Sequence, residues 1–261
     1  MGKPSIGRTE ATIYCSFLLL CGVVYHFVSD GAYSGLVTLA SAMHCMAFAL
    51  LHVAIARRRV VTGVSLASLQ MAAAAYVMRL TVTIFFSAYR PADSTGNHVY
   101  QLMDVAGLGA LVLVLTGLPR SDFEKQTAVA WLVGAGVVMG ALTYAQLSWR
   151  WYVNLLWMAA LWVDTLSMLP QVRLTARMEV AHGYAAHYVA CATLARIVGS
   201  VFWISVYDEF SYEVSWNYPG YSACFAFLVQ VVLGSDFLVR YLIAATKQVL
   251  ENDGGSLCFA V

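Results

Sequence analysis

Four ionisable side chains lie within long apolar stretches of the sequence. They are Arg79, Asp164, Arg196 and Asp236. Charged side chains are costly inside a membrane and mark a candidate functional site. Arginine binds carboxylates through paired hydrogen bonds, so Arg79 and Arg196 predict a polar cavity that accepts an anionic ligand. The alternative is that the two arginines pair with the two aspartates and only hold the helices together.

Two more titratable residues accompany these charges. His44 lies within an apolar stretch, and Asp104 lies near the end of another. A histidine between membrane helices is most often a hydrogen-bonded packing residue. Its other role is that of a proton switch, because an imidazole titrates at about pH 6.5 and small shifts move it across the range of the secretory pathway.

No catalytic or metal-binding motif accompanies these residues in the sequence. It contains no nucleophile–base arrangement, no HExxH motif and no glycine loop that would cradle a phosphate. The 6 cysteines show no CxxC spacing and lie mostly in apolar stretches, which is typical of small buried apolar residues. We therefore expect a protein that is not an enzyme and that uses neither a metal nor a cofactor.

The composition indicates an integral membrane protein. Of the 261 residues, 61% are hydrophobic and 11% are charged, whereas a soluble domain carries about 25% charge. Mean hydropathy is +0.71. The 15 basic and 14 acidic residues nearly cancel to a net charge of +1, so a nucleic-acid partner is not expected. The expected surroundings are the lipid bilayer.

Eight apolar stretches have the length of membrane-spanning helices. A helix needs about 20 mostly apolar residues to cross the hydrocarbon core, and these stretches are far longer than the roughly 10-residue strands of membrane barrels. Short polar connections containing proline or glycine separate several of them. The sequence predicts an all-α membrane protein with spans at residues 11–27, 37–56, 64–88, 100–118, 128–147, 151–169, 185–207 and 221–245.

The distribution of lysine and arginine predicts the orientation. With a cytosolic N-terminus, most basic loop residues fall on the cytosolic side, and only Arg90 and Arg150 fall on the other side. Both termini are then cytosolic. The residues after the first stretch offer no clear cleavage site, so we expect a retained helix; a cleaved signal peptide would leave seven spans.

The second half of the chain resembles the KDEL receptors, the ER lumen protein-retaining receptors. The resemblance rests on an acidic residue at Asp164 and on an LPQ motif that contains Pro170 and Gln171. A family tryptophan falls on Trp157, seven residues before the acidic position. The remaining matches in both halves keep the family's register over roughly residues 37–247, and they are His44, Gly63, Ser65, Ser68, Arg79, His187, Tyr188, Arg196, Trp203, Gln230, Asp236 and Phe237.

The resemblance implies a fold similar to that of PQ-loop and SWEET transporters. Such a fold has seven helices, arranged as two three-helix repeats around a linker helix. We therefore expect a cytosolic N-terminus with an extra transmembrane helix or signal anchor in residues 1–30. The receptor-like domain occupies residues 31–247, and a cytosolic tail occupies residues 248–261.

The resemblance also implies a function. Members of the family bind the C-terminal KDEL or HDEL tails of escaped ER lumenal proteins in the mildly acidic Golgi, and return to the ER in coat-protein I (COPI) vesicles. They release the tail at neutral pH. By position, the resemblance assigns ligand binding to Arg79, Arg196, Asp164 and Trp157, a pH switch to His44, and structural polar roles to Asp236, Pro170 and Gln171.

Several positions depart from the family pattern. Of three arginines that form the family's carboxylate cage, only Arg79 is present, and the other two positions hold Val37 and Val206. A family tyrosine is replaced by Ala195, and the lysine cluster of the tail is reduced to Lys247. Because a buried carboxylate needs cationic partners, these changes predict altered ligand choice or affinity.

Two other functions remain open from the sequence. A polar cavity with paired arginine and aspartate residues also suits a small-solute transporter of the PQ-loop or SWEET type, which works by alternating access. A receptor-like protein that has lost its ligand and acts as a membrane scaffold is the third possibility. The receptor interpretation requires Arg79 to lie beside an opening, neither facing lipid nor fully enclosed with an acidic partner.

Overall fold

The chain folds into a bundle of α-helices. The computed structural model describes residues 8–58, 63–118, 123–143, 148–177, 184–210 and 217–257, and these contain no β-strand. The helices coincide with the eight predicted stretches, so the all-α prediction is confirmed. Their bounds are α1 Arg8–Phe27, α2 Gly35–Arg58, α3 Leu66–Leu80, α4 Val99–Gly117, α5 Phe123–Leu142, α6 Trp151–Arg177, α7 Tyr184–Ser205 and α8 Tyr218–Leu257.

Six of these helices are long and apolar enough to cross a membrane, namely α2, α3 with its π-helical extension, α4, α6, α7 and α8. The apolar parts of α1 and α5 are shorter, at Tyr14–Phe27 and Thr127–Leu142. Large apolar side chains on these two helices are exposed, including Leu19 and Trp131, which suits contact with lipid. The crossing of the bilayer by α1 and α5, the division into two repeats and the expected domain limits stay predictions.

The described interior contains three apolar clusters, and the two larger ones lie at different levels along the bundle. In one, Phe48, Leu51 and Leu111 pack from α2 and α4 against α3 and α7. In the other, Trp157, Trp162 and Phe227 pack from α6 and α8. A layer of polar and charged side chains lies between these two larger clusters. Its ionisable residues follow or precede the cluster residues by about one turn of their helices.

One end of the bundle, which we call the Asp93 end, gathers the α1–α2, α3–α4 and α7–α8 connections. The Asp93 carboxylate accepts hydrogen bonds from Ser29 Oγ at 2.7 Å and Ser34 Oγ at 2.9 Å, and from the backbone N–H of Thr95 at 2.9 Å. The α1–α2 connection also reaches α7, where Tyr33 and Ser205 share a hydrogen bond. The extra N-terminal helix is thereby tied to the rest of the bundle.

At the opposite end, which we call the Gln171 end, α6 is joined to the start of α3. The Gln171 side chain donates to the Gly63 carbonyl oxygen at 2.8 Å and accepts from the Ser65 N–H at 2.9 Å. Ser65 in turn caps α3 by accepting from the Ser68 N–H. Pro170 lies inside α6, where it removes one helical hydrogen bond. Gln171 therefore joins α6 to α3, and the structural roles expected of Pro170 and Gln171 stay predictions.

Helices α5 and α6 pack closely through two glycines four residues apart. A Cβ atom added at Gly140 would lie 2.5 Å from the backbone nitrogen and Cα of Ala159, and one added at Gly136 would lie 2.6 Å from a side-chain carbon of Val163. Small residues at this spacing let membrane helices approach each other closely. The seam therefore depends on the absence of side chains at both positions.

We expect Gly140→Ala to destabilise the protein by about 1–3 kcal/mol, because the added methyl group forces α5 away from α6. Thermal unfolding in detergent measures the effect. Gly134→Ala is the matched control, since a Cβ at Gly134 meets nothing within 4 Å. Equal melting temperatures for the two variants would contradict the close seam.

We expect Asp93→Asn to lower the melting temperature by the same amount near pH 5.5 and near pH 7.4. Burial raises the pKa of Asp93, but hydrogen bonds from Thr95, Ser29 and Ser34 outweigh it and hold the pKa below its usual range. A lowered pKa in the folded state contributes stability that is complete above the unfolded value of about 3.9 and is lost only as the pH falls below it.

Asp30→Asn is the control for this variant, because Asp30 is exposed in the α1–α2 connection at the same end of the bundle. Thermal unfolding of both variants at the two pH values is the measurement. A loss of stability that grows between pH 7.4 and pH 5.5 would show that Asp93 titrates in that interval and would contradict the assignment.

Candidate functional site

A cavity of about 90 Å³ lies in the polar layer, on the side towards the Asp93 end. Its wall is contributed by α2, α3, α4, α6, α7 and α8. The sequence-predicted residues that it brings together are His44, Arg79, Trp157, Asp164 and Arg196. Asp236 is exposed on α8, while Pro170 and Gln171 lie nearer the other end of the bundle, so these three residues do not line the cavity.

Helical periodicity explains why these residues face the same space. Each of three helices contributes positions i, i+3, i+4 and i+7, which share one helix face. Five of the six middle positions hold alanine, serine or glycine, which leaves the space open, and larger polar or aromatic residues stand at the ends of the sets. The sets are Val37, Ala40, Ser41 and His44 in α2; Trp157, Ala160, Leu161 and Asp164 in α6; and Arg196, Gly199, Ser200 and Trp203 in α7.

Arg196 and Asp164 form one ion pair in the cavity wall. The distance from Arg196 Nη2 to Asp164 Oδ1 is 2.8 Å, and Arg196 Nε lies 3.4 Å from Oδ2. Gln230 of α8 donates to Thr165 Oγ1 at 2.9 Å and lies 3.4 Å from Asp164 Oδ2. The predicted internal pairing is confirmed for these two residues.

Arg79 forms a second ion pair of the same geometry, and its partner is Asp104 of α4. Arg79 Nη2 lies 2.8 Å from Asp104 Oδ1, and Nε lies 3.1 Å from Oδ2. Helices α3 and α4 are packed neighbours, and Asp104 follows Tyr100 of the cavity wall by one turn. The Asp104 side chain is fully buried, whereas 26% of the Arg79 side chain is exposed. Arg79 therefore lies between its partner and the cavity.

Aromatic side chains close the wall towards the Asp93 end. Trp157 stacks on Tyr89 with ring centroids 4.5 Å apart and an angle of 13° between the planes, and it meets Trp203 edge to face at 5.0 Å. Tyr89 is held by a hydrogen bond from its hydroxyl to Asn154 Oδ1 at 2.7 Å. Because Tyr89 lies in the α3–α4 connection, periodicity could not indicate that it contributes to the site.

His44 is buried between the two ion pairs. Its ring packs against Tyr76 and Phe48, at centroid distances of 6.3 and 6.4 Å. The charges of the two arginines and of their two aspartates sum to zero, so the protonation state of His44 decides the formal charge of this part of the described structure.

Two hydroxyl groups in the described part of the wall, on Tyr76 and Ser200, are available for a further polar partner. Ser200 is 1% exposed, and within the described residues its Oγ has no hydrogen-bond partner. A buried hydroxyl without a partner costs about 1–3 kcal/mol. A polar group entering the cavity can recover this cost, which makes the wall suited to a ligand with hydrogen-bonding capacity.

Most of the residues that line the cavity lie in the part of the chain that matches a known protein family. The family described as ER lumen protein retaining receptor matches residues 60–206, which is more than half of the chain. The chain belongs to this family. No individual curated protein matches the sequence.

Three positions at which the sequence departs from the family pattern can be located in the structure. Val37 lines the cavity and is buried, and Ala195 is a fully buried neighbour of Arg196 in the wall. Val206 lies just past the end of α7, outside the cavity lining. An apolar side chain therefore lies in the wall at Val37, where the resemblance places a cage arginine, and Arg79 and Arg196 carry the wall's fixed positive charge.

We expect Asp164→Leu to destabilise the protein by about 3–5 kcal/mol, because it leaves the buried Arg196 without its acidic partner. Adding Arg196→Met in the same chain removes the uncompensated charge and is expected to recover most of the loss. Thermal unfolding of the single and double variants in detergent measures both effects. A double variant that is no more stable than Asp164→Leu would show that the pair does not bear on stability.

Proposed function

We propose that the protein is a retrieval receptor that binds the C-terminal KDEL- or HDEL-type tails of ER lumenal proteins and returns them from the Golgi to the ER. The observation that carries the proposal is the position of Arg79 in the wall of a membrane-buried cavity, in a chain of the retaining-receptor family. Arg196, Asp164 and Trp157 shape the same cavity.

The terminal carboxylate of a bound tail is recognised by Arg79. Asp104 occupies one edge of the guanidinium through Nε and Nη2, and an arginine carries five N–H donors in a planar fork. Donors on the other edge can serve a second carboxylate. Ser200 offers a hydroxyl to the peptide, and the aromatic group around Trp157 packs against its apolar parts.

The pH dependence of binding arises at His44. Since the two ion pairs sum to zero charge, a proton on His44 gives the cavity a net positive charge that attracts a carboxylate. This proton is taken up together with the ligand carboxylate, so acidic conditions in the Golgi favour the bound state and neutral conditions in the ER disfavour it. Asp93 does not supply this dependence, because its lowered pKa keeps it ionised across the same interval.

The proposed orientation places the Asp93 end in the lumen. By the sequence, ten of the 15 lysine and arginine residues belong to the termini and to the α2–α3, α4–α5 and α6–α7 connections with their adjoining helix turns, and this excess is typical of the cytosolic side. Both termini are then cytosolic, and the cavity lies in the lumenal half of the bundle, where tails of lumenal proteins are present. The protein resides in ER and cis-Golgi membranes, and the COPI coat is the proposed cytosolic partner for return.

A second candidate function is the transport of a small solute. A smaller cavity of about 30 Å³ lies towards the Gln171 end and is lined by Gln171, Tyr188 and Thr193 among others. Arg196 lines both cavities, so its pair with Asp164 separates spaces on opposite sides of the polar layer. Alternating access requires such an arrangement, and solute uptake into liposomes by the purified protein would favour this function.

Binding of a tetrapeptide ending in KDEL or HDEL to the purified protein tests the receptor function. We expect binding near pH 5.5 to be at least about tenfold tighter than near pH 7.4, and near pH 5.5 we expect a free C-terminus to bind at least about tenfold tighter than an amidated one. Arg79→Ala is expected to weaken binding by roughly 2–5 kcal/mol, because the ligand carboxylate loses its charged partner.

Arg90→Ala is the matched control, since Arg90 lies in the α3–α4 connection outside the cavity lining. Tight binding that ignores both pH and Arg79 would contradict the proposal. The proposal would also be contradicted if the location of the protein in cells did not change when a cargo ending in HDEL is overproduced. If no peptide binds and no solute is taken up, the protein is a family member without a ligand.

A further inference from the structure

The buried partner of Arg79 is the least expected feature of the cavity. The Asp104 side chain has no exposed surface and lies on the far side of Arg79 from the cavity, which it does not itself line. It accepts from two guanidinium nitrogens at 3.1 and 2.8 Å. An arginine that serves to capture a ligand carboxylate is thus already bound to a carboxylate of the protein.

The two ion pairs of the site are built in the same way. In each pair the arginine uses Nε and Nη2, and the aspartate accepts through both oxygens. Arg79 also packs over the Tyr76 ring, with Cζ 4.3 Å from the ring centroid. Both guanidinium groups are therefore held in place, and both of their charges are balanced inside the protein.

We propose that Asp104 is a specificity-determining residue: by balancing the charge of Arg79, it makes the cavity accept a carboxylate-bearing ligand only together with a proton. The inference rests on the proposed function of the cavity as a site for a peptide C-terminus. Asp104 does not touch the ligand and acts through Arg79.

His44 is the group that takes the proton. The titratable and charged side chains packed around it come from α3, α4, α6 and α7, and α8 contributes the uncharged Gln230 to the wall. None of the others supplies an unbalanced fixed charge at neutral pH, since each arginine has its aspartate and the rest are tyrosines. They are Tyr76 and Arg79, Tyr100 and Asp104, Asp164, and Tyr188 and Arg196.

Asp104→Asn separates the charge of Asp104 from its size. An asparagine has nearly the same shape and still offers an oxygen to Arg79, so the arginine keeps one hydrogen bond while the negative charge is lost. The cavity then carries a net positive charge without a proton on His44. If Asp104 only braces Arg79, this substitution leaves the pH dependence of ligand binding unchanged.

The experiment measures binding of an N-acetylated tetrapeptide ending in KDEL, with a free or an amidated C-terminus, to the wild type and to Asp104→Asn near pH 5.5 and pH 7.4. For Asp104→Asn we expect binding of the free acid near pH 7.4 to be at least about tenfold tighter than in the wild type, with little change between the two pH values. The control is Asp208→Asn, which removes an exposed charge at the Asp93 end and is expected to behave as the wild type.

The outcomes separate this inference from the receptor function. If the wild type binds only at the acidic pH and Asp104→Asn does the same, the inference is overturned and the receptor function stands. If only Asp104→Asn binds, Asp104 excludes the carboxylate at both pH values, so the proton-linked acceptance that we infer and the receptor function of the natural chain are both overturned. If neither protein binds at either pH, both are overturned.

The wild type alone gives a second test that does not depend on the folding of a variant. A charge-balanced cavity has no preference for the free acid over the amide near pH 7.4, and gains that preference near pH 5.5. A preference of tenfold or more for the free acid at the neutral pH would overturn the inference.

Discussion

Two arginine–aspartate pairs lie in a layer between two apolar clusters, and the rest of the site depends on them. Each arginine would be unstable in the bilayer interior without its carboxylate, and each aspartate would be unstable without its arginine. The pairs therefore constrain the helices that carry them, since α3 must present Arg79 to Asp104 of α4, and α7 must present Arg196 to Asp164 of α6. The cavity lies beside the pairs, and α2 and α8 complete its wall.

Neutrality of this layer has a direct consequence for recognition. A site with an unbalanced arginine attracts any anion at any pH, whereas a balanced site needs a further charge before an anion becomes stable in it. Among the described residues that line the cavity, His44 can carry that charge, and it is in contact with the Tyr76 ring on which Arg79 also packs. The loss of the cage arginine at the Val37 position then fits a site that binds its ligand conditionally.

Much of the fold followed from the sequence, because a bilayer imposes a minimum length on each helix and excludes most charged residues. The same constraint made Arg79, Asp164 and Arg196 conspicuous, and the period of the helix placed Trp157 with Asp164 on one face. The partner of Arg79 was missed because pairing between helices depends on how α4 is rotated against α3. The sequence pattern showed only that Asp104 lies near a helix end.

The sequence also could not predict that Tyr89 stacks on Trp157. Tyr89 lies in a connection with a positive φ of 55°, a conformation that the tertiary contacts select and that no periodic pattern indicates. The hydrogen bond from Tyr89 to Asn154 holds it there. Connections, unlike helices in a membrane, have no regular geometry from which such contacts can be inferred.

The most direct measurement of the central claim is the number of protons taken up when a carboxylate-terminated peptide binds. Titration calorimetry near pH 6.5 in buffers of different ionisation enthalpy gives this number, since the heat of buffer ionisation scales with the protons exchanged. A charge-balanced cavity that binds through His44 predicts an uptake approaching about one proton per peptide, and no uptake for His44→Gln. Tight binding of the free acid to the wild type without proton uptake would contradict the account.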